Sequence, residues 1–317
     1  MIYFHIFAFF LGCFFSNFSQ AQPYPSKPIK IIVPTGPGGG ADTSARFLAA
    51  KLSNSLNQSI FIENVGGAGG IIGADRVAKS NPDGYTLLFG FNALVTMVPY
   101  LTAKMPYLTR DLEPIGITYR GGYILLASNN FPANNLNELF VLAKSKPDEI
   151  AFASTGNGSA AHLGAELLQQ MTKIKLLHVP FKSTGLIELM ANQVQIKFEP
   201  MASGVPLVIS GKLKALAVTG PQRAKVLPSV ISINEVLPEF KLIGWQGLWA
   251  PKGTSKEIVL KLNNELVKFL KDPEVQQKMI ESDALPNDSS PESMTFAIET
   301  ESAIWEKIIR ERQIKTE

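Results

Sequence analysis

Twice in this chain a short, nearly uninterrupted apolar run passes into a loop of glycine and small polar residues, and then into a segment whose apolar residues recur at helical spacing. The first instance is Ile29 to Val33, followed by Pro34-Thr35-Gly36-Pro37-Gly38-Gly39-Gly40-Ala41-Asp42. A helix is predicted from Asp42 to Leu56 on Ala45, Leu48, Ala49, Leu52 and Leu56. The second is Ile150 to Ala153, then Ser154-Thr155-Gly156-Asn157-Gly158-Ser159, then a helix from Ala160 to Met171. A strand that is apolar on both sides belongs to a sheet covered by helices on both faces, so the chain is confined to the α/β class.

The same alternation fills the space around these units. Strand Ser59 to Glu63, helix Ile71 to Ser80, the turn Asn81-Pro82-Asp83-Gly84 and strand Tyr85 to Phe89 complete a βαβαβ half. Tyr123 to Ala127 is placed at a crossover. After it come a helix over Leu136 to Ser145, strand Leu176 to Val179, helix Thr184 to Ala191, and strands Val194 to Phe198 and Lys214 to Val218. Gly247 to Ala250 reads as the return crossing. Beyond it three helices are punctuated by a Thr254/Glu257 capping box, by Asp272-Pro273 and by Ser290-Pro291, with no strand pattern among them. The 317 residues suit roughly two domains. The expected division is residues 22–123 with 246–317 as a discontinuous first domain, and 124–245 as a second domain inserted into it.

Composition narrows the function. Lysine and arginine number 30 against 27 aspartates and glutamates, without a basic run, which argues against a nucleic-acid partner. Cys13 is the one cysteine, and the histidines are His5, His162 and His178, so no cysteine-histidine zinc site, haem attachment motif or disulfide framework can be written. No metal and no cofactor is expected.

Met1 to Ala21 lacks any charged side chain, and Ile6 to Phe15 is apolar apart from Gly12. With small residues Ser19 and Ala21 at the minus-three and minus-one positions, residues 1–21 read as a secretory signal cleaved before Gln22, although no lysine or arginine opens it. A retained anchor would need an apolar core of ~20 residues, longer than this one. Lipidation at Cys13, in Phe10-Leu11-Gly12-Cys13, is the other alternative. The mature protein is expected to be exported to the periplasm.

Glycines let a backbone approach a bound group closely, and a helix start presents unpaired amides and the positive end of a dipole. The loops Thr35 to Gly38 with Asp42, and Ser154, Thr155, Gly156, Asn157, Gly158 and Ser159 with His162, are therefore candidates to hold an anion from opposite sides of a cleft. Asp42 as a simple helix cap is the structural alternative. Phe181, Lys182, Glu199 and Trp245 are further candidates for the cleft wall. The cluster Gly66-Gly67-Ala68-Gly69-Gly70 suggests a dinucleotide fold, but GxGxxG read from Gly67 meets Ile72, and the next strand ends without a carboxylate. Ser154 or Ser159 with His162 would suit a secreted serine hydrolase, yet no GxSxG elbow is present. His178, in an apolar strand, reads as a hydrogen-bonded core histidine.

These residues carry a resemblance that runs from Tyr24 to about Glu311. Val33-Pro34 with Pro37-Gly38-Gly39-Gly40 and Asp42, Glu63-Asn64 with Gly67-Ala68-Gly69-Gly70, Pro82-Asp83-Gly84-Tyr85-Thr86-Leu87-Leu88, Gly156-Asn157-Gly158-Ser159 with His162-Leu163, His178-Val179-Pro180-Phe181-Lys182 and Gly211-Lys212-Leu213-Lys214-Ala215-Leu216-Ala217-Val218-Thr219 follow in order. Together they resemble the Bug-type extracytoplasmic solute receptors, the substrate-binding family of tripartite tricarboxylate transporters. The resemblance implies a type II periplasmic binding protein, a Venus flytrap of two α/β domains joined by crossover strands. It implies a monomeric, non-enzymatic receptor that closes on a carboxylate held by main-chain amides and hydroxyls, and passes it to membrane permease subunits. A ligand sensor feeding a membrane signalling protein would look the same. Family members usually carry an aromatic and then a small or proline residue where Thr35 and Gly36 stand, and often an aspartate where Glu199 stands.

Overall fold

The computed structural model describes residues 23–38, 40–181, 183–285 and 288–314. The expected signal over residues 1–21, Cys13, Gly39 and Lys182 lie outside them.

The chain begins with β1 (Ile29–Val33), α1 (Gly40–Leu56), β2 (Ile60–Asn64), α2 (Ile71–Ala78) and β3 (Thr86–Phe91), followed by the short helices α3 (Ala93–Thr96) and α4 (Val98–Leu101) and by β4 (Leu112–Gly121). It then runs through Gly122 into β5 (Tyr123–Ala127), α5 (Leu136–Ser145), β6 (Ala151–Ser154), α6 (Ala160–Thr172), β7 (Leu177–Pro180), α7 (Leu186–Met190), β8 (Ile196–Pro200), α8 (Met201–Ile209) and β9 (Lys214–Val218). The return is β10 (Gly244–Pro251), and α9 (Lys256–Leu270), α10 (Pro273–Glu281) and α11 (Pro291–Glu311) close the fold.

Two five-stranded mixed sheets result, ordered β2-β1-β3-β10-β4 and β7-β6-β8-β5-β9. In the first, β2 and β3 both run parallel to β1, while β10 is antiparallel to β3 and β4. In the second, β7 and β8 run parallel to β6, and β5 is antiparallel to both β8 and β9. Each sheet with its helices is an α/β domain, called a lobe below.

The elements follow from the pattern of apolar residues. The stripe of α1 buries Ala45, Leu48, Ala49 and Leu52 against β1 and β3, and each leucine contributes about 2 kcal/mol by leaving water. The first turn of α2 packs against the ends of two strands, because a Cβ at Gly73 would lie 2.6 Å from the Val65 carbonyl oxygen and 2.9 Å from Pro34 Cα. Several features depart from the sequence reading, among them the helices α3, α4 and α8, which it does not contain. The ten-residue strand β4, which contains Pro114 and Gly116, has no counterpart in the apolar pattern; it stands at the sheet edge, where a proline without an amide proton is tolerated. The cap of α9 is Ser255, whose side chain accepts from the Ile258 amide, while the Thr254 hydroxyl donates to the Pro251 carbonyl. Asp272 and Ser290 cap α10 and α11 as their prolines suggest.

Helix α11 serves both lobes. Met294, Ala297 and Ile298 pack with Ile32, Leu88, Trp245 and Trp249 of the first. Trp305, Ile308 and Ile309 join Phe152, Leu163 and Leu167 in the core of the second. Beyond its last turn the Arg312 guanidinium donates twice to Glu166 of α6, at 2.8 and 2.6 Å.

Candidate ligand-binding site

A parallel strand delivers the chain to the same side of the sheet each time it ends, so the loops after such strands collect there. In this molecule the loops after β1, β2 and β3 and those after β6, β7 and β8 face one another across a cleft of about 1090 Å³. The chain crossings supply its base, at Tyr119 and Gly121 to Tyr123 on one path and Gly244 to Gln246 on the other. None of the described residues lining it carries an ionisable carboxylate, amine, guanidinium or imidazole. The wall offers main-chain groups, hydroxyls and carboxamides, interleaved with Phe91, Tyr119, Tyr123, Phe181 and Trp245.

Of the residues singled out from sequence, Thr35, Gly36, Thr155, Gly156, Asn157, Gly158, Ser159, Phe181 and Trp245 line the cleft. Pro37, Gly38, Asp42, Ser154, His162 and Glu199 do not, and their geometry shows what they do instead. Asp42 is buried behind the first loop: its Oδ2 accepts from the Gly38 amide and Arg46 Nε, both at 2.9 Å, and its Oδ1 from Asn64 Nδ2 at 2.9 Å. Asn64 also donates to the Thr35 carbonyl at 3.1 Å. These donors, the Arg46 guanidinium foremost, hold the Asp42 carboxyl down at about 2. Asp42 therefore ties the loop to α1 and β2. The Thr35 hydroxyl is inaccessible and has no hydrogen-bond partner among the described residues.

The second loop turns on Gly156 and Gly158, at φ 117° and 77°, left-handed conformations that strain any other L-residue. Ser159 caps α6 by accepting from the His162 amide. A cap satisfies one donor, which leaves the amides of Ala160 and Ala161 without intrahelical acceptors at the positive end of a thirteen-residue helix. The serine–histidine couple weighed from sequence does not form. The Ser159 hydroxyl engages the His162 main-chain amide, and the His162 ring takes the Gly158 amide on Nδ1 at 3.0 Å. Ser154, fully buried, has its Oγ 2.7 Å from His178 Nε2. Glu199 sits within β8, ion-paired with Lys197 and accepting from the Ser203 hydroxyl at 2.5 Å.

Trp245 forms part of the base. It is 1% exposed, its ring lies 5.7 Å from that of Trp249, and its Nε1 donates to Glu301 of α11 at 2.8 Å. Asn92, from the loop after β3, donates to the same carboxylate at 3.1 Å and to the Ile243 carbonyl at 3.0 Å. Burial raises the Glu301 carboxyl above its ordinary range despite these donors.

Sequence reasoning left out Gly66 to Ile71, Phe91, Asn92, Val98, Leu101, Tyr119, Tyr123 and Gln246, all of which line the cleft. A usable signal existed for the first group, since its five-residue cluster of four glycines follows β2 just as the other loops follow β1 and β6. Tyr123 opens the strand placed at the crossover from sequence; for Tyr119 there was no signal, because it lies on β4, which has no counterpart in the apolar pattern.

Burial lowers both imidazoles from an ordinary 6.5 to about 4, His178 also through its neighbour His162. The unfolded chain thus binds protons before the folded one as pH falls. Stability attributable to these groups is intact above about pH 6.5, declines below it, and is fully lost below about pH 4. For His162, 7% exposed, the loss is about 3 kcal/mol. Urea unfolding at pH 7 and pH 4 checks this: the variant His162→Asn is expected to lose less stability than the wild type over that interval, and equal losses would refute it.

With the geometry described, comparison with known proteins identifies the chain's relatives. The model of the tripartite tricarboxylate transporter family receptors, TctC, matches residues 44–314. The chain belongs to this family. Three solved TctC-like structures illustrate the kinship. A protein of R. palustris solved with adipate is 30% identical, superposes with a TM-score of 0.84, and is matched over 93% of this chain and 100% of its own. The periplasmic binding protein BugD is 33% identical, with a TM-score of 0.81 and coverages of 93% and 100%. MatC of Rhodopseudomonas palustris, with bound malate, is 32% identical, with a TM-score of 0.80 and coverages of 90% and 100%. The fold is accordingly that of a periplasmic binding protein, and the chain is a solute-binding receptor of the Bug/TctC type.

Proposed function

We propose that this TctC-family receptor works in the periplasm as a monomer. It captures a small organic acid between its lobes and hands it to the membrane permease subunits of a tripartite transporter, without catalysis and without a cofactor. The observation that carries this reading is the cleft wall, which holds no carboxylate, amine, guanidinium or imidazole side chain among the described residues yet receives the start of α6 from one lobe and the glycine loop before α2 from the other. Such a wall favours a small anion: exposed amides and hydroxyls donate to carboxylate oxygens, and no buried cation has to be desolvated first. The adipate and malate bound by relatives support a dicarboxylate, with monocarboxylic, amino and aromatic acids as the neighbouring classes. Charge-assisted hydrogen bonds contribute about 1.5 to 3 kcal/mol each, so four or five of them reach the ~8 kcal/mol of micromolar affinity after ordering costs.

In this reading the lobes follow the division 22–123 with 246–317 and 124–245, except that Tyr123 opens β5 in the second sheet and Gly244 and Trp245 open β10 in the first, and a ligand touching both loops gives the closed state contacts that the open state lacks. Thermal-shift titration tests it with succinate, malate, glutarate, adipate, benzoate and glutamate, alongside glucose and spermidine. At a hundredfold excess over Kd a ligand stabilises by about 2.7 kcal/mol, which raises Tm by roughly 5 °C or more. At least one acid is expected to do so. Stabilisation by glucose or spermidine with none from any acid would overturn the proposal.

A further inference from the structure

Behind the second loop, on the side away from the cleft, the rings of His162 and His178 stack with centroids 4.0 Å apart and planes 6° from parallel. Phe152 of β6 continues the stack, 4.8 Å from His178. Neither histidine lines the cleft, yet each reaches the loop that does. His162 Nδ1 accepts the Gly158 amide at 3.0 Å. The Ser154 hydroxyl, 2.7 Å from His178 Nε2, also accepts the Gly156 amide at 3.0 Å. Two imidazole nitrogens thus engage, one directly and one through a hydroxyl, the two glycines on which the loop turns.

We propose that His162 and His178 are a stacked pair of positioning residues that set the ligand-facing conformation of the 154–159 loop from behind. The proposal rests on the reading of that loop as half of the binding site. Its chemistry follows from the donors. An N–H aimed at His162 Nδ1 requires that nitrogen to be bare, so the ring proton resides on Nε2, which faces Glu166 Oε1 at 3.8 Å. A proton added at Nδ1 would set two N–H groups against each other 3.0 Å apart and expel the Gly158 amide. A proton at His178 Nε2 would likewise turn the Ser154 hydroxyl proton away, towards the Gly156 carbonyl 3.1 Å distant.

The surroundings keep both rings neutral. Among the described residues, the titratable groups facing them are each other and Glu166 on α6. Gln169 Nε2 already donates to Glu166 Oε1 at 3.0 Å and Arg312 to its Oε2 at 2.6 and 2.8 Å, so that carboxylate is only partly available to an imidazolium. A second positive charge 4 Å from the first would be repelled. The loop therefore holds its shape across the neutral and mildly acidic range that an exported protein meets, and binding of the fully ionised acid is expected to be constant from pH 8 to about pH 6.5, below which the ligand's own carboxyl groups begin to take up protons.

Two variants separate the acceptor from mere bulk. His162→Phe keeps a ring for the stack and removes the acceptor; His162→Asn supplies Oδ1 where Nδ1 stands and does not titrate. Binding is measured at pH 7 by calorimetry with whichever of the panel acids stabilises most, adipate being the first used. His162→Phe is expected to weaken Kd at least tenfold and His162→Asn by less than threefold. Equal Kd values for the two variants, whether both wild-type-like or both weak, would overturn the proposal. A ligand-free readout accompanies this, the ¹⁵N shifts of the His162 ring and hydrogen exchange of the Gly158 amide. The Nε2–H tautomer from pH 8 to 5, with Gly158 protected in the wild type and in His162→Asn but not in His162→Phe, is the expected pattern. An Nδ1–H tautomer or an unprotected Gly158 amide in the wild type would refute the role of the pair. Should no acid bind, the binding reading fails and this second readout still decides the proposal.

Discussion

The variant Lys197→Met is expected to lose about 3 to 5 kcal/mol of folding stability, one of the two largest effects foreseen. Lys197 and Glu199 are two residues apart on β8, the central strand of the second sheet, so both point to one face of it. They are 2% and 5% exposed and paired with each other. Lys197 Nζ also donates to the Phe198 carbonyl at 3.2 Å, and Glu199 accepts from Ser203. Removing the ammonium leaves a carboxylate buried beneath α8 with one hydroxyl for company. The pair itself sits near break-even, because desolvating two charges offsets most of their attraction. Lys197→Met combined with Glu199→Gln is therefore expected to recover most of the loss. Urea denaturation of the three proteins measures this; a single variant within 1 kcal/mol of the wild type would show that the carboxylate finds water, contrary to its burial.

Trp305→Ala is expected to cost a similar ~3 to 5 kcal/mol, from lost burial and from the cavity left behind. The indole is 2% exposed and lies in the core of the second lobe, although it belongs to a helix whose beginning is packed on the first. The loss should be local in character. Hydrogen exchange is expected to accelerate over residues 303–311, while residues 294–300 stay protected by Met294, Ala297 and Ile298. Uniform acceleration along α11 would instead mean that the helix is held as one unit. The functional corollary is that the lobes are joined by α11 as well as by the two chain crossings, so closure on a ligand must proceed with this helix attached to both.

How much of this was legible beforehand depends on the kind of statement. The boundaries of β1, α5 and β9 follow from apolar periodicity alone, because each lies in a position where burial of one set of side chains dominates local preference. Strand β4 was not legible: Pro114 and Gly116 mask a strand pattern that only its edge position permits. Helix α8 was missed for a related reason, since Pro206 and Gly204 interrupt a run that is apolar on every side and so lacks a helical stripe.

The site divides in the same way. Glycine-rich loops after parallel strands announce where a cleft wall must be, since the conformations and close approaches they allow are properties of the residues themselves. Which side chains face that wall is another matter. Asp42, Ser154, His162 and Glu199 look like ligand contacts by type and position, yet each is turned behind the wall to hold a loop, a ring or an ammonium. Sequence by itself determined the α/β class, the two facing loops and the kinship with solute receptors, because these depend on short-range patterning and residue type. Only the tertiary structure decided the front from the back of each loop, the aromatic base of the cleft and the double duty of α11. Those depend on how two sheets and their crossings are set against one another, which no local pattern encodes.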